Sequence, residues 1–233
     1  MISNFQQPSR HGPVPESQQD VELTDISWTD LAAEISSCTL CWAHLPLGPR
    51  PVFAGSATAR LLIISQAPGT RAHHSGIPFS DASGRRLRTW LGLDEATFYD
   101  AARVAIMPMG FCYPGKTAQG DKLPDAVCSR TWHQRMLQAM PNVALTLLIG
   151  GLAQRAYLPD FQNVTAAVAG WRDLLPSVAP LPHPSWHNNL WLRTNPWFES
   201  EMLPVLQRLI SLSAIGRQTT RPRCPPRSAR SCG

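Results

Sequence analysis

The 233-residue sequence has no run of about 18 apolar residues, so it predicts no transmembrane helix. Its first residues, MISNFQQPSRHGPVPESQQD, contain no apolar core of a secretory signal, and we therefore expect a cytoplasmic protein. No G-x-G-x-x-G pattern occurs, which weakens the alternative of a nucleotide-binding module. Cysteine is scarce, at six residues. In the cytoplasm, paired cysteines more often bind metal or serve redox chemistry than form disulfides.

Apolar residues are plentiful, and their distribution predicts one folded domain between two polar tails. Hydrophobic residues make up 43% of the chain, which suffices for a packed core. Residues 1–25, with net charge −3, and residues 213–233, with net charge +5, are predicted to be disordered, and residues 26–212 to form the domain. The arginine-rich C-terminal tail suits a polyanion such as nucleic acid, although a merely solubilising tail explains it equally well.

Hydrophobic periodicity predicts strands and helices that alternate along the chain. The predicted strands are 61–65, 103–109, 144–150 and a short one over 177–183. The predicted helices are 26–38, 83–92, 123–140, 151–158 and 195–210. This alternation predicts an α/β fold, a three-layer α/β/α sandwich with a central parallel four-stranded sheet. Ligands bind such sheets at the carboxyl ends of the strands, where the segments that follow each strand meet.

Four of the six cysteines lie in the predicted domain. Cys38 and Cys41 form a C-x₂-C pair, Cys112 follows after 70 intervening residues, and Cys128 after 15 more. Four thiolates can hold either Zn²⁺ or an iron–sulfur cluster, because both take sulfur ligands. The alternative is one chance pair and two unrelated buried thiols.

Three further motifs occur in order along the chain: S-Q-A-P-G at 65–69, G-I-P-F-S-D-A-S-G at 76–84 and H-P-S at 183–185. Together with the cysteines, they resemble the uracil-DNA glycosylase superfamily over about residues 30–210, and in particular its iron–sulfur branches, families 4 and 5. The resemblance implies a hydrolase that removes uracil, and by extension other deaminated bases, from DNA in base excision repair. It also implies one [4Fe–4S] cluster on Cys38, Cys41, Cys112 and Cys128, DNA as the partner, no membrane, and a monomer.

Asp81 and His183 are the catalytic residues that the resemblance implies. Cleavage of an N-glycosidic bond develops positive charge on the sugar and negative charge on the departing base. Asp81 resembles the acidic residue of family 5 and would activate water near C1′, although an aspartate here could instead cap the next helix. His183 resembles the histidine that donates a hydrogen bond to the base oxygen, although it could merely tie its loop.

The rest of the base-binding pocket is also inferred from the resemblance. Phe79 would stack on a base flipped out of the helix, unless it is a core residue. Ala67 stands where family 1 carries a carboxylate, which leaves water activation to Asp81. The other residues assigned to base binding are Gln66, Gly69, Ser185 and Asn188.

Pro108 departs from the pattern, because family 4 carries at this place an asparagine that reads the uracil edge. Proline has neither an N–H nor a polar side chain, so a broader range that includes xanthine or hypoxanthine is the alternative to uracil. No lysine matches a pocket position of the family, so no lyase step is expected. A second hypothesis is a cluster-bearing nucleic-acid-binding protein that has lost catalysis.

The loop 184–193 carries apolar side chains beside His183 and is predicted to enter duplex DNA. A wedge of this kind would fill the space that the flipped base leaves and offset the cost of unstacking. Core packing of the tryptophans is the alternative. The wedge candidates are Trp186, Leu190 and Trp191.

Overall fold

The structure, a computed structural model, describes residues 27–118 and 120–213. The two predicted tails lie outside these residues, apart from Ser213. Within the described part of the chain, no helix is long and apolar enough to cross a membrane.

A four-stranded, all-parallel sheet forms the centre of the molecule. Its strands are β1 Leu61–Ser65, β2 Val104–Pro108, β5 Leu145–Ile149 and β6 Val178–Leu181, and they lie in the order β2-β1-β5-β6. The two strands β1 and β2 are continuous, largely apolar runs, LLIIS and VAIMP, because both faces of the sheet are covered and every residue of these strands is buried. The predicted parallel four-stranded sheet is therefore confirmed.

Prolines mark the end and the edge of this sheet. Pro108 is the last residue of β2, where its missing N–H interrupts no further pairing. Pro180 lies within β6, which forms an outer edge. At the opposite edge, Ala54 pairs with Ile106 of β2 in an isolated antiparallel bridge.

Ten α-helices surround the sheet in the described part of the chain. They are α1 Trp28–Ser36, α2 Thr70–Ser75, α3 Ala82–Leu91, α4 Glu95–Phe98, α5 Ala126–Gln138, α6 Gly150–Tyr157, α7 Val164–Ala169, α8 Trp171–Leu174, α9 Asn189–Thr194 and α10 Leu203–Leu212. Alternate residues of β1 divide the core into two layers. Leu61 and Ile63 pack with α3, α8 and α10 on one face, whereas Leu62 and Ile64 pack with α1, α5 and α6 on the other. This arrangement is the three-layer α/β/α sandwich that the sequence predicted.

The boundaries predicted for the closing helix, 195–210, are wrong. A π-helical segment, Phe198–Met202, precedes α10, and α10 begins at Leu203. Pro204 consequently lies in the first turn of α10, where an N–H would have no intrahelical partner, and not in a helix interior.

A two-stranded antiparallel hairpin, β3 Lys116–Thr117 and β4 Gly120–Asp121, was not predicted. It lies between Cys112 and Cys128, in the segment that leads from β2 into α5. Its strands are too short to leave a hydrophobic pattern in the sequence.

Candidate active site

A cleft of about 510 Å³ opens where β1, β2 and β6 reach their carboxyl ends. This is the edge at which a parallel sheet collects its ligand-binding loops. The residues predicted for base binding, catalysis or the wedge that line the cleft are Ala67, Gly69, Phe79, Asp81, His183, Ser185 and Trp186. Those that do not line it are Gln66, Asn188, Leu190 and Trp191.

Phe79 has an unusual backbone conformation. Its φ angle is +54°, the only positive φ of a non-glycine residue in the described ranges. The ring lines the cleft and meets the ring of Phe98 edge-on, with 6.3 Å between their centroids. A Cβ on Gly84 would lie 1.7 Å from the Phe79 carbonyl oxygen, so only glycine fits beneath this backbone. The structure thus places Phe79 half in the core and half in the cleft.

Asp81 both caps a helix and faces the cleft. Its Oδ1 accepts a hydrogen bond of 3.0 Å from the Gly84 N–H, which makes Asp81 the N-cap of α3. The second oxygen, Oδ2, accepts no hydrogen bond from any residue that the structure covers. The capping role left open by the sequence is therefore observed, and one carboxylate oxygen remains for a ligand or a water molecule.

His183 follows β6, and its loop fixes the tautomer of the ring. The Nδ1 atom accepts a hydrogen bond of 3.2 Å from the Ser185 N–H, so a neutral ring carries its proton on Nε2. Burial lowers the pKa of His183 below its ordinary value, while the Asp81 and Asp121 carboxylates act in the opposite direction. His183 is accordingly a neutral N–H donor in the cleft at pH 7.

Two side chains hold the His183 loop in place. The Asn188 amide donates to the His183 carbonyl over 2.8 Å, so Asn188 supports the loop and does not line the cleft. Arg86 of α3 donates to the Ser185 carbonyl over 3.1 Å. The sequence gave no signal for Arg86, because 99 residues separate it from its partner.

The predicted wedge residues differ in their exposure. Trp186 is 70% exposed, lines the cleft and stacks on His187 with 3.8 Å between the ring centroids. Leu190 is 63% exposed. Trp191 is half-buried, and its indole N–H donates to Thr165 Oγ1 over 2.8 Å. The core-packing alternative therefore applies to Trp191, whereas Trp186 and Leu190 are accessible.

Pro108 also lines the cleft, and its only polar group is already engaged. His133 Nε2 lies 3.0 Å from the Pro108 carbonyl oxygen, and Tyr157 Oη lies 2.6 Å from His133 Nδ1. Burial lowers the pKa of His133 to about 4, so the ring is neutral and its Nε2–H donates to Pro108. The end of β2 consequently offers a base no side-chain hydrogen bond.

Charged residues that the sequence did not reveal complete the cleft. Lys116 and Asp121 come from the β3–β4 hairpin, and Arg71 from α2. Lys116 and Asp121 are cross-strand neighbours in the hairpin. Because both side chains are exposed, they suit contacts with a charged or polar ligand at the rim.

A second cavity, of about 260 Å³, collects Cys38, Cys41, Cys112 and Cys128. All four are free thiols. Burial raises the pKa of Cys128 to about 12 and also raises the pKa values of Cys41 and Cys112, with neighbouring cysteines adding to the effect. The Phe111 N–H donates to Cys128 Sγ over 3.4 Å.

The chemistry of these thiols limits what the cavity could hold. Buried thiolates need a positive partner, because burial and mutual repulsion disfavour their charge. Zn²⁺ and iron–sulfur clusters both take four sulfur ligands. As the four cysteines lie, however, they do not form a metal-binding group, because among the residues with described positions no three His, Cys, Asp or Glu side chains are grouped so that they could hold a metal ion.

Fold and cleft together define an α/β protein with a ligand site at the carboxyl end of its parallel sheet. The model of the uracil DNA glycosylase superfamily matches residues 52–207, and the chain belongs to this superfamily. Cys38 and Cys41 lie before the matched range. Among solved structures, the chain is similar to a Methanosarcina acetivorans protein whose solution NMR structure is described as that of a candidate uracil DNA glycosylase. The identity is 14%, the match covers 68% of this chain and 98% of the other, and the TM-score is 0.40.

Proposed function

We propose that this protein is a monofunctional DNA glycosylase that hydrolyses the N-glycosidic bond of uracil in DNA and acts as a monomer in base excision repair. The observation that carries the proposal is the convergence of Phe79, Asp81 and His183 on one cleft. These side chains supply a stacking surface, a carboxylate and a neutral N–H donor, which are the three groups that the reaction needs.

Each of the three residues has a distinct part in the reaction. A base flipped out of the duplex stacks on Phe79, which is indifferent to the identity of the base. Asp81 Oδ2 orients a water molecule toward C1′ and accepts its proton as the sugar gains positive charge. The Nε2–H of His183 donates to the base oxygen as the base leaves with the bonding electrons.

The cleft also suggests how selective this enzyme is. Pro108 replaces a polar reader of the base edge, and its carbonyl is occupied by His133. A site without a side-chain hydrogen bond at that edge rejects alternative bases weakly. We therefore propose that hypoxanthine or xanthine is excised in addition to uracil.

The cysteine cavity is proposed to hold one [4Fe–4S] cluster with a structural role. Cys38 follows α1, Cys112 follows β2 and Cys128 lies in α5, so the cluster would join three elements that are distant in sequence. Protein purified without oxygen should be brown and contain about four irons and four sulfides per chain. Stoichiometric zinc without iron would contradict this assignment.

The oligonucleotide assay that tests the function uses duplex and single-stranded DNA with uracil, hypoxanthine or xanthine at one position. Alkali converts each abasic product into a strand break, and an oligonucleotide with normal bases is the control. We expect excision of uracil and of at least one purine. We expect no covalent adduct on borohydride treatment, because Lys116, a lysine on the cleft, is exposed and not desolvated as an amine nucleophile would be.

Tight binding to all these oligonucleotides without excision of any base would favour the second hypothesis, a nucleic-acid-binding protein that has lost catalysis. Two departures from the family pattern motivate this alternative. Pro108 stands where family 4 carries an asparagine, and Ala67 stands where family 1 carries a carboxylate. The two outcomes differ in one measurement, the formation of abasic sites.

A further inference from the structure

The backbone of Phe79 needs support, because an aromatic residue seldom adopts a positive φ unless its surroundings hold it there. Part of that support comes from Tyr99, which follows α4. The Tyr99 hydroxyl donates a hydrogen bond of 3.0 Å to the Phe79 carbonyl oxygen. Tyr99 does not line the cleft, so it can influence a bound base only through the lining residues whose positions it fixes.

Tyr99 is itself held by Arg88 of α3. The Arg88 guanidinium donates to the Tyr99 hydroxyl over 3.3 Å and lies 5.6 Å from the centroids of both the Tyr99 and Phe98 rings. Glu95 accepts from Arg88 over 3.4 Å and limits its movement. Burial raises the pKa of Tyr99, so its hydroxyl keeps the proton that it donates.

The Phe79 carbonyl is also linked to the carboxylate of the cleft. Gly84 packs directly beneath this carbonyl, and the Gly84 N–H donates to Asp81 Oδ1. The stacking ring and the carboxylate are therefore held by the same first turn of α3. A shift of the Phe79 carbonyl would disturb both groups.

We propose that Tyr99 is a positioning residue for base excision, whose hydroxyl fixes the Phe79 carbonyl and thereby sets the stacking ring and Asp81 relative to the base. This inference rests on the proposed glycosylase function. It assigns a role to a residue outside the cleft that none of the sequence motifs includes.

The test is Tyr99→Phe, which removes one oxygen and keeps the ring contacts with Phe98 and Arg88. We expect the maximal single-turnover excision rate to fall about fivefold to tenfold, while the duplex concentration for half-maximal rate stays unchanged. Tyr113→Phe is the matched control, because the Tyr113 hydroxyl makes no hydrogen bond to a described residue. This control should excise at the wild-type rate.

A double-mutant comparison separates positioning from general damage to the fold. In a Phe79→Ala background, Tyr99→Phe should cause a smaller further loss of rate than it causes in the wild type, because the ring is absent and only the placement of Asp81 still depends on the carbonyl of residue 79. An unchanged rate in the single variant, or a full additional loss in the double variant, would overturn the proposal.

Crystal structures of wild type and Tyr99→Phe provide a readout that does not depend on activity. We expect Phe79 to leave its positive φ in the variant. If Phe79 keeps a φ near +54° in the variant, the proposed role of Tyr99 is overturned, whatever the excision rate of the variant. Conversely, a wild-type protein that excises no base refutes the proposed function, while the conformation of Phe79 still decides whether Tyr99 holds it.

Discussion

The cleft and the cysteine cavity share the segment that leads from β2 into α5, yet their polar groups are satisfied in different ways. In the cleft, Asp81 accepts a hydrogen bond from the Gly84 N–H, and His183 accepts one from the Ser185 N–H. In the cavity, burial raises the pKa values of Cys41, Cys112 and Cys128, and the hydrogen bond from the Phe111 N–H to Cys128 acts in the opposite direction without reversing the shift.

This difference indicates which parts of the site the protein can build alone. The cleft is organised by contacts within the chain, so its geometry should persist when the cysteines carry nothing. The cavity collects groups that become stable as thiolates only beside a cation. Damage to one region should therefore leave the other partly intact, and the following predictions test that separation.

The largest effect is expected for Asp81→Asn, which removes the carboxylate of the cleft. The single-turnover excision rate should fall by about 10²–10⁴-fold, as is typical for loss of a general base. Asparagine still accepts a hydrogen bond from Gly84 and caps α3, so the thermal midpoint and the iron content should stay near those of wild type. Full activity would show that another group orients the water.

His183→Ala should lower the excision rate by about 10²–10³-fold, because one donor to the departing base is lost. The wild-type rate should also fall when the pH drops through the lowered pKa of His183, below about 6.5, since a proton on Nδ1 displaces the hydrogen bond from Ser185. The rate–pH profiles of the two proteins should differ in this acid range. Identical profiles would remove His183 from the mechanism.

Trp186→Ala should reduce excision from duplex DNA about tenfold and excision from single strands little, because only a duplex has to be wedged open. Trp191→Ala should not reduce excision from duplex DNA more than excision from single strands, since the Trp191 indole is hydrogen-bonded to Thr165. A comparison of both substrates for each variant measures the effect. Equal losses on both substrates would assign Trp186 to base contact.

The smallest effect on the chemistry is expected for Cys112→Ser, which alters the cavity alone. The iron of the proposed cluster should be lost and the thermal midpoint lowered, while the folded fraction excises uracil within about threefold of the wild-type rate. Iron analysis, thermal unfolding and excision assays at low temperature distinguish these effects. A loss as large as that of Asp81→Asn would show that the cleft depends on the cavity.

The sheet was predictable from the sequence because each parallel strand is a continuous apolar run, as in residues 61–65 and 145–149. Short helices such as α4 and α7 were not predicted, because four to six residues give too few turns for a periodic pattern. The β3–β4 hairpin was not predicted for a similar reason, because each of its strands has only two residues.

For the site, motifs identified His183, which follows β6, and Asp81, which caps α3. They missed Arg86 and Tyr99, whose partners lie 99 and 20 residues away along the chain. Such residues act only through tertiary contacts, which leave no local pattern. The sequence therefore predicted part of the lining of the cleft. The structure adds the charged lining residues Arg71, Lys116 and Asp121 and the residues that hold the lining in place.

The strand that ends beside His183 also bears on how the protein behaves at high concentration. An exposed sheet edge offers unpaired N–H and C=O groups to other chains, which is a common route to aggregation. Pro180 lacks the N–H that such pairing requires, and the bridge from Ala54 covers part of the opposite edge. Both edges of the sheet are therefore poor templates for a strand from a second molecule. The loops at the carboxyl ends of the strands remain accessible, while edge-to-edge pairing between copies of the chain is disfavoured.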